Sequence, residues 1–346
     1  MAEYQSKLST QPRNQLEHVI PLSTPYLIYL DPSSACNFKC QFCPTGHLDL
    51  IKNSDYKRGI MSLDLYKKFI SDLDDFSQPL KVLRLNKIGE PLLNPNIGEF
   101  VRLASISGKF DQIDLATNAS LLTPQISRVL CDNGITKINI SLEGLSDIDY
   151  FNNSLVKVDF RQILANIEYL FEYASKIDIA TKPHIHIKIP SSILKASSTN
   201  SSVDDFLKLF GSICDTLHVE NLAEIWPEFN TESRANVGSS LQDRQYSTQE
   251  IGEVMVCSVI FYSMCINSDG SVSACCPDWD QKIIVGDLRK QSLADIWNSP
   301  DFRTLRVLHL EKRRYLHPTC SSCGHVTSSQ VDNIDEFADQ ILKNLI

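Results

Sequence analysis

Three cysteines follow the first strand-like run of the chain, spaced Cys36-x3-Cys40-x2-Cys43. The run is Tyr26 to Leu30, and Asp31-Pro32 ends it. Three thiolates this close can hold a metal centre, but they cannot complete a four-fold shell. One coordination position stays open to something that is not protein, and chemistry can start there.

Taken alone, the triplet leaves two readings open. Cys36, Cys40 and Cys43 with His47 (Cys43-x3-His47) also form a Cys3His zinc pattern. A structural zinc staples a domain that lacks a core. A chain of 346 residues with 42% hydrophobic composition can bury one of its own. Phe42, beside Cys43, suits packing against a ligand ring.

The chain carries eleven cysteines, three at 36–43, six at 257–323, and Cys131 and Cys214 apart. Met1 to Ile20 is polar and mixed in charge, with no apolar core of a secretory signal. The longest uncharged apolar stretch, Val254 to Ile266, is too short to span a bilayer. These features predict a soluble, cytoplasmic protein with no membrane partner. Clustered cysteines in that compartment read as metal or redox chemistry rather than disulfides. The net charge of −9 gives no electrostatic footprint for nucleic acid.

From Tyr26 to about Leu222, short β-branched runs alternate with longer amphipathic stretches. Strands are predicted at 26–30, 80–86, 111–116, 135–141, 184–189 and 214–219. Ser62 can cap a helix through Phe76, Thr123-Pro124 opens another that Asn133-Gly134 closes, and Asp159 opens a third through Ala174. Six such units imply an α/β fold with a parallel sheet, either a partial barrel or an open wound sheet. The stretches 191–205 and 229–250 are rich in Ser, Thr, Asn and Gln and read as loops. The resulting division is an N-terminal arm at 1–25, a barrel domain at 26–225, a linker at 226–256 and a cysteine-rich domain at 257–346.

Polar residues gather just after the strands: the cysteines after the first, Gly89-Glu90-Pro91 after the second, Thr117-Asn118 after the third, and Ser141 to Gly144 after the fourth. Parallel β/α folds build active sites at that rim. With Phe42 in its place before Cys43, the pattern resembles the radical S-adenosylmethionine (SAM) superfamily. The resemblance implies a partial (β/α)6 TIM-like barrel. It implies that Cys36, Cys40 and Cys43 bind a [4Fe–4S] cluster whose fourth iron is chelated by SAM. Gly89, Glu90 and Pro91 resemble the family's glycine-rich motif that meets the SAM amino group, with Ile88 at the place of its first glycine. Thr117-Asn118-Ala119 is similar to a Thr-Asn-Gly sequence. Ser141 and Glu143 match positions that approach the ribose or carboxylate of SAM. Turn and capping chemistry is the plain alternative for Asn118 and Ser141.

The later cysteines, with Asp269-Gly270, Gly286-Asp287-Leu288 and Cys320-x2-Cys323, resemble the SPASM-type C-terminal extension of the same superfamily. That resemblance implies one auxiliary [4Fe–4S] cluster on Cys257, Cys275, Cys320 and Cys323, with Cys276 a possible substitute for Cys275. A zinc ribbon from the same thiols is the alternative. Asp269-Gly270 predicts a hairpin joining strands 259–266 and 271–276. Cys265 reads either as a small buried hydrophobe or as a hydrogen-atom donor. Asp278 reads as a general base or as a turn residue. His184 and His186 alternate on the fifth strand and share a face.

The resemblance implies a catalyst that generates a 5′-deoxyadenosyl radical from SAM and takes hydrogen from a small molecule such as a sugar, amino sugar or cyclitol, by oxidation or epimerisation. The family's usual electron donor is a flavodoxin or ferredoxin. Modification of a peptide is the second expectation. It is lowered because about 25 residues before the first strand are too few for a peptide-binding module. A zinc-stapled binding protein is the third. Gly-x-Gly-x-x-Gly and Walker A loops are absent, which disfavours a nucleotide-dependent dehydrogenase.

Overall fold

The computed structural model describes residues 2–6, 14–195, 202–235, 245, 254–330 and 332–345. Each of the six predicted strands forms, shifted at its ends by a residue or two. They are Leu27–Leu30 (β2), Leu80–Arg84 (β3), Phe110–Thr117 (β4), Lys137–Ser141 (β5), His184–Pro190 (β6) and Thr216–Glu220 (β7). Glu3–Tyr4 (β1) precedes them, and Ser263–Ile266 (β8), Ser271–Ser273 (β9) and Ile284–Asp287 (β10) follow. All ten join one sheet in the order β1-β7-β6-β5-β4-β3-β2-β8-β9-β10. Pairing is parallel from β1 through β8 and antiparallel across β8, β9 and β10.

The helices start where their caps predict. Ser62 accepts from the Leu65 amide, Thr123 from Ile126, and Asp159 from Arg161 and Gln162. Each satisfies amides that the first turn leaves unpaired, worth about 1 kcal/mol apiece. The helix after Ser62 is α-helical only to Asp72, and its last turn tightens to 3-10 at Leu73–Asp75. On β6, Ile185, Ile187 and Ile189 are fully buried on one face, and His184, His186 and Lys188 occupy the other. Both histidines meet the Thr216 hydroxyl at 2.8 Å, so they share a face as expected. They lie in the strand, before the rim where the cysteines gather.

Two elements differ from expectation. The 259–266 strand is a helical turn at Val259–Tyr262 followed by β8, and the Ser263 hydroxyl closes that turn on the Val259 carbonyl at 3.0 Å. An unbroken apolar run carries no periodicity to separate turn from strand. β9 stops at Ser273, and Pro277 follows the cysteine pair. Asp269-Gly270 does turn the hairpin, with Gly270 at φ +91°, where a side chain would strain the backbone. The stretches 191–205 and 229–250 hold helical segments at Ser191–Lys195, Val203–Phe210 and Thr231–Ala235. Their remaining parts, 196–201, 236–244 and 246–250, lie outside the described residues.

β8 pairs with β2 in parallel register, Tyr29 opposite Cys265, so the sheet runs on into the C-terminal region. Trp297, 1% exposed, donates its Nε1 to the Leu22 carbonyl at 2.7 Å and ties the N-terminal arm to that region. Arg306 lies buried between the rings of Trp297 and Phe302 at 4.0 and 3.9 Å and donates to the Ile260 and Trp297 carbonyls. Carbonyls at Nε and Nη1 and the two ring faces stand in for water, while Nη2 is buried without a partner among the described residues. No described helix is long and apolar enough to cross a membrane.

Candidate active site

The chain leaves β2 through Asp31-Pro32 and enters the cysteine loop. The loop is pinned to the helix Asp147–Ser154, with the amides of Lys39 and Gln41 donating to Ser154 and Asn153 at 2.9 and 3.1 Å. Turns at Cys43 and Gly46 then bring the three thiols to one side. Cys36, Cys40 and Cys43 line a cleft of about 200 Å³. Phe42, Gly89, Glu90, Asn118, Ser141 and Glu143 line the same cleft, so nine of the sequence-predicted positions meet there. Pro91 does not. It is buried below the rim and opens a 3-10 turn, fixing the chain that follows Glu90.

Gly89 is required by close approach. A Cβ there would lie 1.7 Å from the Ser33 carbonyl oxygen and 2.8 Å from that of Ala35. The Glu90 amide donates to the Ala35 carbonyl at 2.9 Å, docking the second-strand loop onto the cysteine loop. Glu90 is a correction to the expectation that its carboxylate is offered to an ammonium. Both oxygens are engaged within the protein, by the Thr117 hydroxyl at 2.8 Å and the amides of Leu92 and Asn118 at 3.1 and 3.0 Å. It ties two rim loops together, and its burial raises the carboxyl to about 7. Asn118 is divided between roles, since it braces Asn37 at 2.9 Å and caps Ser120 while lining the cleft. Ala119 stands where the resembling motif has glycine and holds φ +61°, at a cost of about 1 kcal/mol.

Glu143 is different. It is 5% exposed, and its Oε2 has no hydrogen-bond partner among the described residues. Burial raises its carboxyl to about 7, opposed by the nearby charge of Lys188. It also meets the Cys40 thiol. Burial pushes all three thiols up, Cys36 to about 12. Thiolates are unfavourable here without a cationic centre to neutralise them.

The later cysteines form a second, enclosed cavity. Cys257, Cys275, Cys320 and Cys323 line it together with apolar side chains such as Val259, Ile260 and Val326. Cys276 is not among its lining residues. Asp278 lines this second cavity rather than the first, and its carboxylate accepts the amides of Lys282 and Ile283 at 2.9 and 3.0 Å. Each oxygen accepts one amide of the turn, which favours the turn reading over the general-base one. Cys265 is fully buried on β8 and lines neither cavity, which favours the packing reading over the hydrogen-donor one. His47 does not line the first cleft with the triplet; its Nε2 meets the Gln41 carbonyl at 2.7 Å and its Nδ1 meets Arg234 at 3.4 Å.

Both donor sets fit iron–sulfur clusters. Three thiols leave an open side on a polar cleft, and four thiols close around an apolar cavity. No three His, Cys, Asp or Glu among the described residues are drawn into the tight arrangement that a single metal ion needs. The cube of a cluster spreads its ligands more widely than a zinc tetrahedron does.

Sequence reasoning missed three residues here. Trp226, half-buried, closes the first cleft from the segment after β7, and its neighbour Pro227 lines the second cavity. Lys87 lines the first cleft and donates to the Asp278 carbonyl at 2.7 Å on the edge of the second. His309 lines the second cavity. Only an aromatic residue in a polar stretch could have flagged Trp226.

Residues 30–186 match the family model of the Radical SAM superfamily, and residues 257–324 match that of SPASM, an iron–sulfur cluster-binding domain. The tungsten-containing aldehyde ferredoxin oxidoreductase cofactor-modifying protein of Pyrococcus furiosus is 21% identical over 333 residues, covering 86% of each chain. The crystal structure of BtrN in complex with AdoMet and 2-DOIA superposes with a TM-score of 0.55 at 21% identity, covering 90% of this chain and 97% of that one. Native anSMEcpe with bound AdoMet and Cp18Cys peptide gives 0.57 at 15% identity, covering 93% and 96%. The likeness to these structures is one of fold.

Proposed function

The chain belongs to the radical SAM superfamily and is a radical SAM enzyme with a SPASM domain, and from that premise we propose that it oxidises an alcohol or amine carbon of a small polar molecule such as a sugar, amino sugar or cyclitol. Its cofactors are a [4Fe–4S] cluster, SAM and auxiliary iron–sulfur. In this reading Cys36, Cys40 and Cys43 hold the SAM-binding cluster, and Cys257, Cys275, Cys320 and Cys323 hold one auxiliary cluster. When bound, the first cluster and SAM supply a 5′-deoxyadenosyl radical that takes one hydrogen atom, and the auxiliary cluster supplies a sink for the electron that remains.

The observation that carries the reading is the convergence of three thiols with Gly89, Ser141 and Glu143 on one cleft. Glu143 lines that cleft with its Oε2 buried and unpartnered among the described residues, and in this reading it receives a polar group of SAM. Gly89 lets the second-strand loop sit close enough to wall the site. Asn86 and Ser141 give the cleft polar groups suited to hydroxyls and amines, while the Lys87 ammonium is taken up by Asn267, Ser273 and the Asp278 carbonyl. Oxidation is favoured over inversion because the cleft lining holds no thiol beyond the three ligands. The donor that inversion needs is missing from the wall. The two walls are linked, since Lys87 lines the first cleft and bonds the carbonyl of Asp278 in the second, and Trp226 of the first adjoins Pro227 of the second.

Anaerobically reconstituted protein, SAM, a reduced flavodoxin or ferredoxin and a panel of sugars, aminocyclitols and peptides test the proposal. A small-molecule product two mass units lighter, with no deuterium taken up from heavy water, is the expected result. Deuterium in an isomeric product identifies an epimerase, and turnover of peptides alone overturns the small-molecule reading. For Cys320→Ala, loss of about half the iron with SAM cleavage retained is expected. Wild-type iron content in that variant counts against Cys320 as a ligand.

A further inference from the structure

His309 lies on the helix Pro300–Leu310, which packs against the second cavity. It is 1% exposed, so each ring nitrogen must find a partner inside the protein or go without. Nδ1 has one. The backbone amide of Cys257 meets it at 3.2 Å. An amide N–H can only donate, so Nδ1 accepts, and the neutral ring carries its proton on Nε2.

That leaves a donor without an acceptor. Nε2 has no hydrogen-bond partner among the described residues. An unsatisfied N–H this deeply buried is costly, and such a group calls for an explanation. The ring lines the cavity bounded by Cys257, Cys275, Cys320 and Cys323. An iron–sulfur cluster there would present sulfide and thiolate sulfur, both electron-rich acceptors. The bond at Nδ1 fixes the ring, and it does so through the amide of one of the four cysteines.

We propose that His309 donates its Nε2 proton to sulfur of the cluster held by Cys257, Cys275, Cys320 and Cys323, and through that bond sets the cluster's reduction potential. This rests on the auxiliary-cluster reading above. A reduced cluster carries more negative charge on its sulfurs, so the bond strengthens on reduction and raises the potential. His309 thus makes the auxiliary centre a better acceptor for the electron released by substrate oxidation. It acts on the reaction through the cluster and is a tuning and positioning residue.

The test compares wild-type, His309→Phe and His309→Gln holoenzyme, each checked for iron and sulfide. Pulsed electron paramagnetic resonance of the reduced auxiliary cluster in water and heavy water reads exchangeable protons near it, and 15N-histidine labelling reads the imidazole. In wild type, an exchangeable proton and a 15N coupling are expected. His309→Phe loses the part of each signal that His309 supplies, the His325 ring and the amides at Cys257 and Cys323 remaining, and its auxiliary midpoint moves to a more negative potential. His309→Gln, which keeps an N–H donor, recovers part of that shift. Couplings and a midpoint unchanged from wild type in a loaded His309→Phe protein overturn the proposal. Should His309→Phe fail to load, the wild-type 15N measurement decides, and absence of any imidazole coupling overturns the proposal there. An auxiliary signal missing from wild type contradicts the cluster reading instead, so the two failures are distinct.

Discussion

Alanine at Cys36, Cys40 or Cys43 is expected to reduce 5′-deoxyadenosine formation by more than about a thousandfold, because in the proposed site each would remove a cluster ligand that nothing nearby can replace. The three thiols are the cysteines that line the first cleft, and His47 is held by the Gln41 carbonyl. Cys131 and Cys214 are packed elsewhere, in the helix Pro124–Asp132 and just before β7. Alanine is smaller than cysteine and leaves the backbone hydrogen bonds that pin the loop to the helix Asp147–Ser154, so the fold should survive, although Cys40→Ala also gives up the thiol contact with Glu143. Circular dichroism and the auxiliary cluster's iron should therefore stay near wild type while cleavage of SAM disappears. Unchanged SAM cleavage in any of the three variants contradicts the assignment. Loss of all iron shows instead that the loop organises the whole protein.

The second large effect is expected at Gly89. In Gly89→Ala the new methyl would sit 1.7 Å from the Ser33 carbonyl oxygen, so backbone must move. Neither side can yield cheaply. Ser33 and Ser34 are fully buried, and the Ser34 hydroxyl is bonded to Ser268 at 2.8 Å across the C-terminal region. Overpacking of this kind costs about 1–3 kcal/mol, and the Glu90-to-Ala35 hydrogen bond is lost with it. The thiols remain, so iron should still load. Affinity for S-adenosylhomocysteine, measured by calorimetry, should fall at least about tenfold because the wall made by residues 88–90 shifts. Wild-type affinity in a folded Gly89→Ala protein shows that this loop does not shape the ligand site.

The sequence reading and the structure part company where burial decides. The six barrel strands are legible because each is a short β-branched run bounded by turn residues, and the caps at Ser62, Thr123 and Asp159 carry their chemistry in their side chains. The rim site is legible because parallel β/α topology converts four separate motifs into one place. β1 is two residues long, and β8 hides behind an apolar run whose first half is helical. No local pattern marks either. Asp278 and Cys265 have the side chains that catalysis uses, and only the fold shows that one is consumed by a turn and the other is sealed in the sheet. Glu90 was placed in the right cleft, but a carboxylate that braces two loops looks the same in sequence as one that greets a ligand. Trp226 and His309 lay in segments with no motif around them, and their partners come from distant parts of the chain.

The central claim is that the thiols of the first cleft leave one iron for SAM. Electron paramagnetic resonance of the reduced, anaerobically reconstituted protein, recorded before and after SAM is added, tests it most directly. The account predicts a change in the signal of one cluster on adding SAM, unchanged signal from the other, and methionine and 5′-deoxyadenosine formed in equal amounts on turnover. A protein that holds only zinc at Cys36, Cys40 and Cys43, with SAM left intact under reducing conditions, contradicts it.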